Sequence, residues 1–175
     1  MPRILTRSAF LAAALGLLAG AALGQMRATP LVWNTVGSAD GGYMAELPGK
    51  PLERRIDATT LQEVFLDNGA LYFALLWTPV AKPPADKAAI QKYLFAVRDR
   101  TTAALKASVI TTQAIERGRH PGIDYIVESP GSAIRHRYVV VLVGNRVVQQ
   151  AYTGPTGTEN SPDVKKFHAS LKLKQ

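Results

Sequence analysis

The chain has 175 residues, a formal net charge of +8 from 21 Lys and Arg against 13 Asp and Glu, and no cysteine. The missing cysteine excludes disulfides, thiol catalysis and thiolate metal sites, so stability has to come from an apolar core. The charge surplus is uneven, with 4 basic and 6 acidic side chains in residues 25–80 but 15 and 7 in residues 81–175. Such a surplus keeps a surface soluble, and in the later half it also suits an anionic partner.

Residues 1–24 read as a secretory signal peptide. Arg3 and Arg7 precede an uncharged run from 9 to 23, and Ala22-Leu23-Gly24 offers small residues to a signal peptidase, with Ala19-Gly20-Ala21 as a second choice. The run falls short of the ~20 apolar residues of a spanning helix, and no later stretch reaches that length. The expectation is a signal peptide over 1–24, one domain over 25–175, no transmembrane segment after cleavage, and a periplasmic or secreted location. Retention of the run as an anchor is the alternative.

A first brief strand is predicted over residues 31–38 around Trp33. Residues 43–47 alternate, with Tyr43, Ala45 and Leu47 on one side and Met44 and Glu46 on the other, until Pro48-Gly49-Lys50-Pro51 stops the strand. Residues 59–66 and 70–77 flank Asp67-Asn68-Gly69, a strong hairpin signal whose second arm is continuously apolar and so belongs inside a sheet. Gly69 is expected to matter more to the fold than Gly131. Pro79, Pro83 and Pro84 fill the next loop, after which Asp86 offers an N-cap for a helix from 87 to about 108. Ile90, Leu94, Val97, Thr101, Ala104 and Ser108 recur at helical spacing as the face that packs on the sheet, with Tyr93 and Phe95 at its margins.

Residues 109–116 and 123–128 read as strands joined by a turn over 117–122, and Pro130-Gly131 turns the chain again. Residues 135–152 follow as the hairpin on which the fold is organised. Gly144-Asn145 fits a two-residue turn, which pairs Val143 with Arg146, Val141 with Val148, Val139 with Gln150 and Arg137 with Tyr152 on one face, and Leu142 with Val147 on the other. Five unbroken apolar residues, 139–143, cannot all face one side of a strand, so this strand is expected to be covered on both faces. Gly154-Pro155-Thr156-Gly157 ends the hairpin, and Ser161-Pro162 opens a last short helix ending near Leu171.

The order of elements predicts an α+β domain, an antiparallel sheet covered by helices on both faces. Tyr43-Met44-Ala45-Glu46-Leu47-Pro48-Gly49-Lys50-Pro51 resembles the aromatic-x-x-x-Leu-Pro-Gly-x-Pro segment of secreted bacterial PsbP-like proteins, named for the extrinsic subunit of photosystem II. Gly122-Ile123-Asp124-Tyr125, the Arg137-Tyr138 to Gln149 hairpin and Phe167-His168-Ala169-Ser170-Leu171 resemble further motifs of that family in the same order. Leu171 stands where the family usually has a second aromatic. The resemblance spans nearly the whole exported chain. It implies an α/β/α sandwich used for docking onto larger assemblies or for binding small apolar ligands, generally without catalysis.

The chemistry-bearing residues are dispersed. His120, His136 and His168 fall on a turn, a strand and a helix with no metal-pair spacing, and His136 sits between two arginines, so no metal site is expected. Ser129-Pro130-Gly131-Ser132 lacks a nucleophile elbow, and Gly154 to Thr158 lacks the lysine and following helix of a phosphate-binding loop. Catalytic residues and cofactors are expected to be none. The candidate partner contacts are the basic sites Arg135, His136 and Arg137, which open the central strand, with Arg117 and Arg119 as the alternative. Pairing of these arginines with Glu128 or Asp124 is the competing structural explanation. If the strands form a meander, the two sites lie at opposite ends of it.

These observations favour a non-enzymatic extracytoplasmic domain that binds a partner protein, an envelope component or a small ligand. The alternative is a small hydrolase or transferase whose site is built from dispersed residues, for which two strongly perturbed titratable groups in one closed polar pocket would be the mark. The partner is expected to be an unknown protein or an anionic envelope component. Nucleic acid is not expected, because the basic residues lack interleaved aromatics and the leader directs export.

Overall fold

The computed structural model describes residues 30–38 and 42–174. The signal peptide predicted over 1–24 and most of the loop expected after Ser38 lie outside the described residues. In chain order the strands are β1 (Trp33–Ser38), β2 (Tyr43–Pro48), β3 (Leu52–Ile56), β4 (Thr59–Leu66) and β5 (Leu71–Pro79). Helix α1 (Lys87–Ala104) precedes β6 (Ser108–Arg117), β7 (His120–Glu128), β8 (Ile134–Val143) and β9 (Arg146–Pro155), and α2 (Pro162–Ala169) and β10 (Lys172–Leu173) end the fold.

All strand pairs are antiparallel. Seven strands form one sheet in the order β3-β4-β5-β9-β8-β7-β6, and three form a second in the order β1-β2-β10. The β8–β9 hairpin has the register expected from its turn: Val143 opposite Arg146, Val141 opposite Val148, Val139 opposite Gln150, Arg137 opposite Tyr152 and Leu142 opposite Val147. Val139, Val140 and Val141 are fully buried, as a strand covered on both faces requires. Beneath α1, Leu94 and Val97 pack with Tyr125, Tyr138, Val140, Leu142 and Ala151. On the opposite face, Val139, Val141, Val148 and Leu75 pack against Tyr43, Ala45 and Leu171. Val164 and Phe167 of α2 pack there too, with the Phe167 ring edge-on to Phe73 at 5.4 Å.

The chain is α+β with antiparallel sheets and two helices. Helix α1 covers one face of the large sheet, while the other is shared between the small sheet and α2. The alternation of Tyr43, Ala45 and Leu47 explains this, since the three buried side chains make β2 a covering layer in its own right.

Other boundaries move for local reasons. Asp86 caps α1 as expected, accepting from Ala89 N at 2.8 Å. The helix ends at Ala104 and not near 108, because Lys106 takes a φ of 51° and Leu105 and Ala107 turn in to the core. The turn expected over 117–122 occupies only Gly118 and Arg119, with Arg117 paired to His120. Pro121 is accommodated in β7 because pairing with β8 begins one residue later, at Gly122. Sequence reading missed β3 and β10. β3 is a polar edge strand with no buried face to impose alternation, and β10 has only 2 residues.

Candidate partner-binding surface

The sheet order settles the relation of the two basic sites. β6, β7 and β8 form the meander, so Arg117 and Arg119 lie at one end of β7 and Arg135 with Arg137 at the other. Strand alternation then separates Arg135 and Arg137 from His136, which points to the α1 face.

Arg135 and Arg137 are already neutralised. Arg135 donates from Nε to Glu128 at 2.7 Å and from Nη1 to Glu159 at 2.6 Å. Burial pushes the Glu159 carboxyl up, but hydrogen bonds from Arg135, its own N–H and Gly157 N outweigh that and hold it below the usual range. Arg137 forms a two-pronged bond to Asp124, Nε to Oδ1 at 3.1 Å and Nη2 to Oδ2 at 2.7 Å, and both side chains are 17% exposed. Its Nη1 also donates to Glu159 O and Asn160 Oδ1. The pairing weighed against partner contact in the sequence is therefore present, and it includes Glu159, which has no sequence signal.

His136 is buried, hydrogen-bonded to Thr153 Oγ1 at 2.8 Å and Ser129 Oγ at 3.2 Å, and burial lowers its pKa to about 4. It fastens the start of β8 to β9 and to the turn that precedes β8, and its ring is buried. His168 is buried beneath α2 on the opposite face, with its pKa lowered to about 3 by burial and by Arg137 and Arg117. The two perturbed histidines thus belong to different layers.

Arg117, Arg119 and His120 have a different setting. They line a cleft of about 760 Å³ together with Glu116, Gly118, Leu171, Lys172 and Leu173. Leu171 is buried and Leu173 half-buried, so the lining mixes apolar with basic side chains. The cleft exists because the tight β6–β7 turn projects beside β10, whose Lys172 is held by pairing with Met44. Arg117 is anchored, with Nη2 donating to His168 O at 3.1 Å near the C-terminus of α2, where a cation is favoured. Arg119 is exposed, and among the described residues it has no ion pair. Lys172 escaped sequence reading; its only trace is the short Leu-Lys alternation at 171–174.

No protein-family model and no curated protein matches the chain. Among solved structures, the solution structure of cyanobacterial PsbP (CyanoP) from Synechocystis sp. PCC 6803 superposes with a TM-score of 0.61 at 8% identity, over 86% of this chain and 98% of that one. The fold is PsbP-like. A crystal structure from Bacteroides thetaiotaomicron VPI-5482 matches with a TM-score of 0.50 at 14% identity, over 81% of this chain and 48% of that one, so this chain spans about half of it. The likeness is one of fold alone. Among the described residues of this PsbP-like chain, no helix is long and apolar enough to cross a membrane.

Proposed function

We propose that the chain is a non-catalytic extracytoplasmic domain that binds an acidic partner protein through the cleft between the β6–β7 turn and β10. The observation that carries this reading is the contrast between the basic sites. Arg135 and Arg137 spend their charge on Glu128, Glu159 and Asp124, whereas Arg119 and Lys172 flank an open cleft without a counter-ion in it beyond Glu116. The leucines of the lining supply contact area, the basic side chains select for negative charge, and exposed cations engage without a large desolvation cost. The extracytoplasmic setting rests on the leader pattern in residues 1–24.

Capture from native envelope extract with tagged residues 25–175, run in parallel with an Arg119→Glu/Lys172→Glu variant, tests the reading. A species retained by the wild type, weakened by salt and lost with the variant, is the expected result. Equal retention by both proteins would place the contact elsewhere.

A further inference from the structure

The two edges of the seven-stranded sheet are unlike. β3 has 5 residues, all but Ile56 exposed, and it is guarded by charge: Arg54 pairs with Glu63, and Glu53 accepts from Gln62. Short, charged edge strands resist pairing with other chains. β6 has 10 residues and no charge or proline from Ser108 to Ile115, and it exposes Val109 by 42% and Ile110 by 46%. A bulge interrupts its start between Val109 and Thr111, after which the register with β7 is regular to Arg117. Arg117 and His120 close a two-residue turn, so ladder bonding alternates backwards from that pair. The N–H and C=O groups of Thr112, Ala114 and Glu116 consequently point away from β7, out of the sheet.

We infer that β6 accepts an extended acidic segment of the partner as an added strand, with acidic side chains at one end of that segment reaching Arg119 and Lys172. This rests on the reading of the cleft given above and adds the mode of binding. An open ladder supplies main-chain hydrogen bonds without regard to sequence, and the cleft at its end supplies the selection. Charge decides against a second copy of this chain as the occupant. Residues 25–175 carry 19 Lys and Arg against 13 Asp and Glu, and their own β6 would bring only Glu116 as an acidic group.

The probe is a synthetic peptide of alternating threonine and glutamate, with a threonine-lysine peptide as control, titrated into residues 25–175. The glutamate peptide alone is expected to bind and to slow hydrogen exchange at the amides of Thr112, Ala114 and Glu116. Ala114→Pro removes an outward N–H that β7 does not use, and it is expected to weaken binding about tenfold. Arg119→Glu/Lys172→Glu is expected to weaken binding and flatten its salt dependence. If the double variant loses binding while Ala114→Pro and amide exchange show no effect, strand addition is wrong and the cleft reading stands. Amide protection that survives the double variant unchanged would overturn the acidic character of the partner. Failure of the glutamate peptide to bind the wild type would overturn strand addition, leaving the cleft to be judged by the envelope capture.

Discussion

Arg137 donates twice to Asp124 and once each to Glu159 O and Asn160, so removing its guanidinium leaves a carboxylate that is 17% exposed without a counter-ion. Arg137→Met should therefore cost about 2 kcal/mol in urea unfolding, near the lower range for charged hydrogen bonds because the pair is partly solvated. Arg119→Glu should stay within about 0.5 kcal/mol, as surface substitutions away from structural features do. Equal costs would mean that the two arginines are misassigned. His136 and His168 supply a second residue-scale test. Their unfolded pKa of 6.5 falls to about 4 and about 3 in the folded chain. Below pH ~6.5 the unfolded state binds protons that the folded state refuses, so this stability is fully present above that pH. It declines as pH falls toward the folded values, by at most about 1.4 kcal/mol per pH unit for each histidine. Urea midpoints should drop across that window, and His168→Gln should flatten the drop. A midpoint that falls equally steeply in the variant would contradict the burial of His168 as its source.

At the level of elements, legibility followed burial. The β8–β9 hairpin was readable to the residue pair because its turn and its apolar run constrain the same register. Asp86 was readable as a cap and Ser161-Pro162 as a helix start because such signals are local, and Ser161 accepts from Val164 N as the cap. β3 was not readable, since an edge strand of Leu-Glu-Arg-Arg-Ile has no buried face to write a pattern into the sequence. The turn glycines show the same limit. Gly69 and Gly131 both hold positive φ, 89° and 70°, and a Cβ at either would meet nothing within 4 Å. The backbone alone sets the cost there, so the expected ranking of Gly69 above Gly131 does not follow from the structure. Valine at either position should cost more than about 1 kcal/mol, and by similar amounts, measured as thermal shifts. A loss at Gly69 alone would restore the ranking.

Across the whole molecule, what the sequence could not show is which cations are spent. Arg135 and Arg137 looked like a surface because they open a central strand, but Glu159 and Asp124 reach them from a loop and a neighbouring strand, contacts separated by 24 and 13 residues. Conversely, Lys172 joins Arg117 and Arg119 only because β10 adds to β2 on the covering sheet. Long-range placement, not local pattern, made the cleft. If a partner sits in that cleft, a probe placed there should reach it. The most direct measurement is photocrosslinking in cells that express the chain, with a photoreactive residue in place of His120, which lines the cleft beside Arg119, and, as control, of Lys92, which is exposed on α1. Position 120 should give an adduct of defined mass that position 92 does not, and Arg119→Glu/Lys172→Glu should diminish it. The same adducts from both positions, or none from position 120, would contradict the account.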